Sequence, residues 1–306
     1  MNMQLSSGYY DRRKLEAHVE NRTVYSLDRA ELNVYETHMF ADKVELTFDH
    51  PVLVSMLRGK KVMHLRDSSF VFVPGESVVL PPGEEMQIDF PEATVTNPTQ
   101  CLALTLANES ILEMTSYLNE QHPKADDFAQ WTFTERNFHF TNDTAVNQII
   151  ARMIFLFTEN HPSKDIFADF MLKELILRLM QTEARHILLE SADALHQTSR
   201  LAYVVKYIRE HLHEPLTVQA LSEKACMSQT HFHRCFKLEL GLSPVDFINS
   251  ERIRLAKKLL KNQQHRITEI CYSCGFNSIS YFNNVFRRAT GHSPTAYRRH
   301  HLSSLV

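Results

Sequence analysis

The sequence lacks the features that mark membrane, secreted and disulfide-rich proteins. No apolar run among its 306 residues reaches the roughly 18 residues that a membrane-spanning helix needs. Residues 1–20 contain neither an apolar core nor a cleavage site, so we expect no secretion signal. The five cysteines are odd in number and scattered, which argues against a disulfide framework and favours a reducing cytoplasm.

Charge is divided unevenly along the chain, although the net charge of the whole is only −3. Residues 198–306 contain 16 Lys and Arg against seven Asp and Glu, a net of +9. Residues 1–197 contain 17 against 29, a net of −12. This division predicts a nucleic-acid-binding domain attached to a domain that does not bind nucleic acid, and the length allows both.

The basic part contains one sequence pattern twice, in residues 216–244 and 267–294. Matching residues lie 50 positions apart: Phe232 and Phe282, Phe236-Lys237 and Phe286-Arg287, Gly241 and Gly291, and Ser243-Pro244 and Ser293-Pro294. A repeat of this length indicates one supersecondary unit that is used twice.

Each copy has the pattern of a helix-turn-helix. In the first copy Thr217 and Ser228 are placed to cap two helices, and Gly241 ends the second. In the second copy we expect Thr268 to cap the first helix and Gly291 to end the second. Apolar residues at helical spacing predict the buried face of each second helix: Phe232, Cys235, Phe236 and Leu240, then Phe282, Val285, Phe286 and Ala289.

The opposite face of each second helix is polar and basic, as suits a helix in the major groove of DNA. One such helix is usually only a solvated surface, but two in tandem with matched endings favour DNA binding. We predict base-reading side chains at Thr230, His233, Arg234, Ser280, Tyr281 and Asn284. We predict phosphate contacts from Lys237, Arg287 and Arg288.

The spacing of the two units suits DNA as well. A helix over residues 245–262 would be roughly 27 Å long at 1.5 Å per residue. Such a linker can hold two recognition helices about one DNA turn apart, roughly 34 Å, if the duplex bends slightly. One chain would then contact two successive major grooves.

Residues 216–299 closely resemble the DNA-binding domain of the AraC/XylS family of bacterial transcription regulators. The motifs that carry the resemblance are Met227-Ser228, Arg234-Cys235-Phe236-Lys237, Gly241-Leu242-Ser243-Pro244, Gly275-Phe276, Ser280-Tyr281-Phe282 and Gly291-His292-Ser293-Pro294, with the linker helix at residues 253–260. Departures are small: Ser222 and Cys271 replace a common alanine and Cys226 a common glycine. The resemblance implies that the chain binds double-stranded promoter DNA, has RNA polymerase as a partner, and activates rather than represses transcription.

The acidic part begins with residues 1–30, which look polar and partly helical. Residues 31–106 then alternate apolar and polar residues in short runs between breakers, which predicts a small β-barrel or jelly roll. Residues 57–61 and 74–79 resemble the cupin-like N-terminal domain of one AraC subgroup. Residues 107–190 have helical periodicity, with helices predicted at 109–120, 144–160 and 165–190, and the only tryptophan, Trp131, in an isolated polar stretch.

A small barrel offers an interior for one ligand. Candidate lining residues are Tyr35, His38, Arg58, His64 and Glu85, although each alone is more often a surface or satisfied residue. Residues 31–106 lack the His-x-His pair of metal-binding cupin enzymes, so we predict no metal and no cofactor. Cys271 and Cys274 have the spacing of a zinc or redox pair, but no second pair faces them.

The sequence therefore predicts an α+β chain of two domains and no enzyme. A cupin-like effector and dimerisation domain would cover residues 1–190, a linker 191–199, and an AraC-type DNA-binding domain 200–306. The predicted function is a cytoplasmic, ligand-controlled transcription activator, with a homodimer as a further expectation and no membrane partner. Two alternatives stay open: an N-terminal domain that only dimerises or binds protein, and, less favoured, a DNA-modifying enzyme that carries this module.

Overall fold

The computed structural model of the chain describes residues 20–66, 68–126, 130–133, 136–195, 199–261 and 265–303. They form two compact units. The first contains the described residues of Met1–Gln121 and Trp131–Met180, and the second those of His122–Gln130 and Gln181–Val306. Within the described residues, no helix is both long and apolar enough to cross a membrane. All five cysteines are free thiols.

The first unit is built on ten strands in two antiparallel sheets. The strands are β1 (Glu20–Leu27), β2 (Ala30–Thr37), β3 (Ala41–Leu46), β4 (Val52–Arg58), β5 (Lys61–His64), β6 (Ser69–Phe72), β7 (Glu76–Leu80), β8 (Met86–Phe90), β9 (Thr99–Thr105) and β10 (Phe138–Thr141). The larger sheet has the order β1-β2-β9-β4-β7-β10 and the smaller β3-β8-β5-β6. The predicted β-rich domain is confirmed.

The core of this unit lies between the two sheets. Strands of both sheets contribute alternate residues to one apolar cluster that includes Val54, Met63, Phe72, Ile88 and Ala103. This alternation follows from the two-residue period of a strand, which sends every second side chain to the same face.

Three helices follow in this part of the chain: α1 (Asn108–Gln121), α2 (Thr144–Thr158) and α3 (Lys164–Leu195), of which α3 belongs to the first unit up to Met180. They match the three predicted helices.

Two expectations for the flanking segments were wrong. Residues 20–27 form strand β1 rather than helix, because they pair along their whole length with β2. The stretch after α1, inside the segment with helical periodicity, contains strand β10, which pairs with β7. Trp131 is buried, although its surroundings in the sequence are polar.

The helix α3 also changes the predicted linker of residues 191–199. The helix continues to Leu195, so the first five residues of that segment are helical. The segment Ser191–Leu195 contains no glycine or proline and three good helix formers, so nothing in it ends the helix. Side chains of residues 184–198 lie outside the described part of the chain, and so does the predicted packing of Ile187 and Leu188.

The second unit is helical. Its helices are α4 (Arg200–Glu210), α5 (Val218–Lys224), α6 (Gln229–Leu240), α7 (Pro244–Leu260), α8 (Ile267–Ser273), α9 (Ile279–Thr290) and α10 (Pro294–Ser303). The two predicted helix-turn-helix units are α5–α6 and α8–α9, and α7 is the linker helix. Thr217 and Ser228 cap α5 and α6 as predicted, by accepting from backbone N–H groups three residues on.

One predicted cap was wrong. Thr268 lies inside α8, and the N-cap is Arg266. The carboxylate of Glu269 accepts from the Arg266 backbone N–H at 2.9 Å, so an acidic residue in the first turn replaces the hydroxyl cap.

The turn of the second helix-turn-helix packs tightly against the segment between α4 and α5. Gly275 has a φ of +82°, and a Cβ atom there would lie 2.0 Å from the carbonyl oxygen of Leu212. The Arg252 guanidinium of α7 donates to this same oxygen at 3.0 Å and to that of Glu214 at 2.9 Å. The turn of the second helix-turn-helix is therefore in close contact with the segment that precedes the first, and only glycine permits this contact.

This contact predicts unequal effects for two substitutions at glycines of similar φ. Gly275→Ala should lower the free energy of unfolding by at least about 3 kcal/mol, because the new methyl group must displace backbone as well as adopt the left-handed region. The control Gly291→Ala has a φ of +76° and open space around the new atom. It should cost about 1 kcal/mol. Denaturant unfolding of the full chain measures both, and equal losses would contradict the close-contact explanation.

Candidate nucleic-acid interface

The first recognition helix, α6, is fixed by aromatic residues on its inner face. Phe232 and Phe236 are fully buried, and their rings lie 5.4 Å apart. Because a helix repeats every 3.6 residues, this burial turns the opposite face of α6 outward. The exposed side chains are Gln229, Thr230, His233, Arg234 and Lys237.

The second recognition helix, α9, repeats this arrangement. Phe282 and Phe286 are fully buried, with ring centroids 5.7 Å apart. The exposed side chains include every predicted contact of this unit: Ser280, Tyr281, Asn284, Arg287 and Arg288. Ala289 was predicted to be buried but is exposed. The inner face at this end of α9 is instead completed by Tyr297 of α10, whose ring centroid lies 5.4 Å from that of Phe286.

Two of the predicted base-reading side chains are held by neighbouring groups. The Arg234 guanidinium lies 3.2 Å from His231 Nδ1, one turn back on α6. The Tyr281 hydroxyl accepts from the side-chain amide of Asn249 on α7 at 2.9 Å. The phenol of Tyr281 keeps its own proton for donation, so it can still bind an acceptor on a base edge.

The predicted phosphate contacts Lys237, Arg287 and Arg288 are all exposed. Within the described part of the chain, no carboxylate lies within ion-pair distance of any of the three. Cations that have no protein counterion can neutralise DNA phosphates without first breaking an ion pair.

The linker helix α7 has 17 residues, so its length is about 26 Å at 1.5 Å per residue. Its observed start at Pro244 and end at Leu260 lie close to the predicted residues 245–262. Asn262 is outside the described residues.

A buried carboxylate lies on the inner side of α6. Glu239 accepts a hydrogen bond from the backbone N–H of Ala125, and burial raises its pKa to about 7. The Ala125 hydrogen bond and the cationic Lys124 and Arg200 lower that pKa, but by less than burial raises it. The sequence did not predict this buried carboxylate, because a charged residue in a helix is expected to be exposed.

The paired cysteines of α8 are buried thiols. Burial raises the pKa of Cys271, and it raises the pKa of Cys274 to about 12. Low thiolate content makes both thiols poor nucleophiles and poor metal ligands. Among the described residues, no group of three His, Cys, Asp or Glu side chains is arranged to hold a metal ion.

The five predicted ligand-lining residues lie in different surroundings. Tyr35 lies in the core between the sheets, and His38 is also buried. Arg58 donates to the Thr96 carbonyl oxygen at 3.3 Å, and Glu85 is exposed. His64 bonds to Ser69 Oγ and Asp89 Oδ2, both at 2.9 Å, on the face of β5 opposite Met63. The structure therefore brings Tyr35 alone of these five into the core between the sheets.

Sequence reasoning missed one residue of this core. Lys61 is only 2% exposed, and its Nζ lies 3.2 Å from Cys101 Sγ. The signal was present in the pattern, since Lys61 precedes Met63 by two positions in a predicted strand and must share its face.

Comparison with known proteins identifies both halves. The sequence model described as AraC-type transcriptional regulator N-terminus matches residues 29–187, more than half of the chain. The model described as Helix-turn-helix domain matches residues 221–300. The chain belongs to the AraC family of transcriptional regulators.

Individual relatives agree with this AraC family assignment. The chain is 26% identical to the probable transcriptional regulator LumQ of Photobacterium leiognathi over 250 residues, which are 82% of this chain and 90% of LumQ. It is 31% identical to the HTH-type transcriptional activator RhaS of Salmonella schwarzengrund (strain CVM19633) over 125 residues, which are 41% of this chain and 44% of RhaS. The chain thus spans less than half of RhaS.

Among solved structures, the DNA-binding domain of the global transcriptional factor AdpA, in complex with a target DNA, is 35% identical. The match covers 35% of this AraC family chain and 96% of the AdpA domain, with a TM-score of 0.34.

The buried carboxylate of the AraC-type DNA-binding domain predicts a pH dependence of stability. The pKa of Glu239 is about 7 in the folded chain and near 4.5 when unfolded. The folded state therefore binds this proton more tightly, and stability should fall as pH rises from about 4.5 to 7. Glu239→Gln keeps an oxygen for the Ala125 N–H but cannot titrate. The free energy of unfolding of the variant, relative to that of the unchanged chain, should therefore be about 2 kcal/mol higher at pH 8 than at pH 5.

Denaturant unfolding at both pH values measures this gain. The control Glu210→Gln removes an exposed carboxylate of α4 and should show no comparable change. A constant difference between Glu239→Gln and the unchanged chain at all pH values would mean that Glu239 does not titrate in this range.

Proposed function

We propose that this AraC-type regulator contacts two successive major grooves of double-stranded promoter DNA through α6 and α9, and that it activates transcription with RNA polymerase. A small ligand in the N-terminal domain controls it. The protein acts in the cytoplasm and catalyses no reaction. The observation that carries the DNA-binding part is the repeated helix-turn-helix, in which matched pairs of buried phenylalanines turn two polar, basic faces outward.

The roles of individual side chains follow from their chemistry. Arg234 can donate two hydrogen bonds to guanine and Asn284 can pair with adenine, whereas Thr230, His233, Ser280 and Tyr281 offer single contacts to base edges. Lys237, Arg287 and Arg288 provide charge without sequence preference. A linker of about 26 Å supports a spacing near one turn of slightly bent DNA.

Exposed apolar side chains support a homodimer through the N-terminal half. Ile166, Phe167 and Phe170, within one and a half turns of α3, are each between 40% and 66% exposed. Large apolar groups in one region of a surface often mark an interaction site. A domain that only dimerises is therefore the second candidate for this half.

The two classes of DNA contact predict different mutant behaviour. The full chain first selects its operator from random-sequence DNA. Arg234→Ala should then weaken operator binding by about 1–3 kcal/mol and remove the preference at one base pair, because a bidentate base contact is lost. Lys237→Ala should weaken all sequences alike and reduce the salt slope by about one. Uniform loss for Arg234→Ala would contradict its assignment as a base-reading residue.

Ligand control predicts a coupled response of the full chain. In a thermal-shift screen against sugars, aromatic acids and other metabolites, at least one compound should raise the melting temperature in a saturable way, since it binds the folded state. The same compound should change operator affinity, because the two binding events are linked. A well-folded chain that responds to no compound would favour the dimerisation module instead.

A further inference from the structure

One lysine is enclosed in the apolar core of the N-terminal unit. Lys61 begins strand β5 and is 2% exposed, whereas its neighbour Lys60 is on the surface and pairs with Glu92. Lys61 points the same way as Met63, which is fully buried between the sheets. The lysine amine therefore lies inside the domain and not at its surface.

The contacts of this amine leave its charge without a counterion. Its Nζ lies 3.2 Å from the Cys101 thiol and 5.6 Å from the centre of the Phe72 ring. Within the part of the chain that the structure describes, no carboxylate is within ion-pair distance of Lys61. A thiol is a weak acceptor and an aromatic face a weak partner, so an enclosed ammonium here lacks the anion that such a group normally requires.

The strand cannot easily turn this lysine outward. Gly59 precedes β5 with a φ of +78°, and a Cβ atom there would meet Thr99 Oγ1 at 2.9 Å. β5 also pairs with β6 and β8 on its two sides, with Lys61 opposite Phe72. A one-residue slip would expose Met63 and bury His64, so the register holds Lys61 inside.

Other polar side chains on nearby strands satisfy one another and do not reach this amine. Ser55 and Ser77 hydrogen-bond at 2.5 Å, and Gln100 donates to Glu36. Each of these four polar residues is next in sequence to a residue of the core between the sheets and therefore points to the opposite face of its strand. The core neighbours are Met56, Val78, Cys101 and Tyr35. The period of the strands thus separates a satisfied polar set from the core that contains Lys61.

We propose that Lys61 is the anchor for the carboxylate of an organic-acid effector, whose apolar part lies between the two sheets. The inference rests on the proposed ligand control of this domain and names the class of ligand. A carboxylate supplies the missing counterion, and an apolar body suits the surrounding side chains. Met56, Met63 and Met86 line this core, and such flexible side chains can move to admit a ligand. A neutral polyol would leave its hydroxyl groups without partners there.

The test compares acids with their own amides on the full chain. Benzoate, 4-hydroxybenzoate, hexanoate and decanoate are each paired with the primary amide of the same skeleton, and binding is measured by thermal shift and calorimetry. At least one acid should bind saturably, about 30-fold or more tighter than its amide, as expected for a buried charge pair. Lys61→Met should remove this preference, whereas the control Lys60→Met should keep it.

A second readout needs no ligand. Lys61→Met replaces an unpaired enclosed ammonium by an apolar chain of similar length, so it should raise the melting temperature of the ligand-free chain. A lysine that serves only the fold would give a lower melting temperature instead. That result would overturn the proposal even if an acid binds elsewhere.

The remaining outcomes separate this inference from ligand control itself. Amides or sugars that bind as tightly as acids, or an acid preference that survives Lys61→Met, would overturn the anchor but leave ligand control intact. Failure of every acid in the panel would also overturn the anchor. Only a chain that responds to no compound of any class, in binding or in operator affinity, would remove ligand control as well.

Discussion

The DNA-binding half depends on the burial of paired phenylalanines one helical turn apart. Phe232 and Phe236 in α6, and Phe282 and Phe286 in α9, have no exposed surface. Once these rings are fixed, helical geometry determines which side chains face outward. The identity of the outward residues can then vary to suit an operator without disturbing the fold, since the proposed phosphate and base contacts lie on the opposite face of the same helix.

The second constraint is the contact between the turn of the second helix-turn-helix and the segment that precedes the first. A glycine turn approaches the Leu212 carbonyl, and Arg252 of the linker helix donates to that same oxygen. The hydrogen-bonded arginine satisfies backbone groups that the close approach would otherwise leave without donors. A close contact of this kind would serve the proposed DNA binding, because two recognition helices could bind successive grooves only if their separation is maintained.

The sequence predicted what local patterns control and missed what packing controls. Repeated motifs predicted both helix-turn-helix units, and alternation predicted the β-rich segment of residues 31–106. Strand β10 was not predicted, because it depends on pairing with the distant strand β7. The burial of Trp131 was not predicted either, since its neighbours in the sequence are polar and only the fold encloses it. The α8 cap was missed for a different reason: Glu269 supplies from inside the first turn what a hydroxyl supplies elsewhere.

Two buried ionisable groups show why charge alone is a poor guide to position. Glu239 can become neutral near physiological pH and keeps a hydrogen bond from Ala125, so its burial is compatible with a stable helix. Lys61 has only a thiol and an aromatic ring near its amine. The burial of Glu239 therefore has an explanation within the fold. The unpaired ammonium of Lys61 destabilises the ligand-free domain, and an anionic ligand that pairs with it would bind more tightly for that reason.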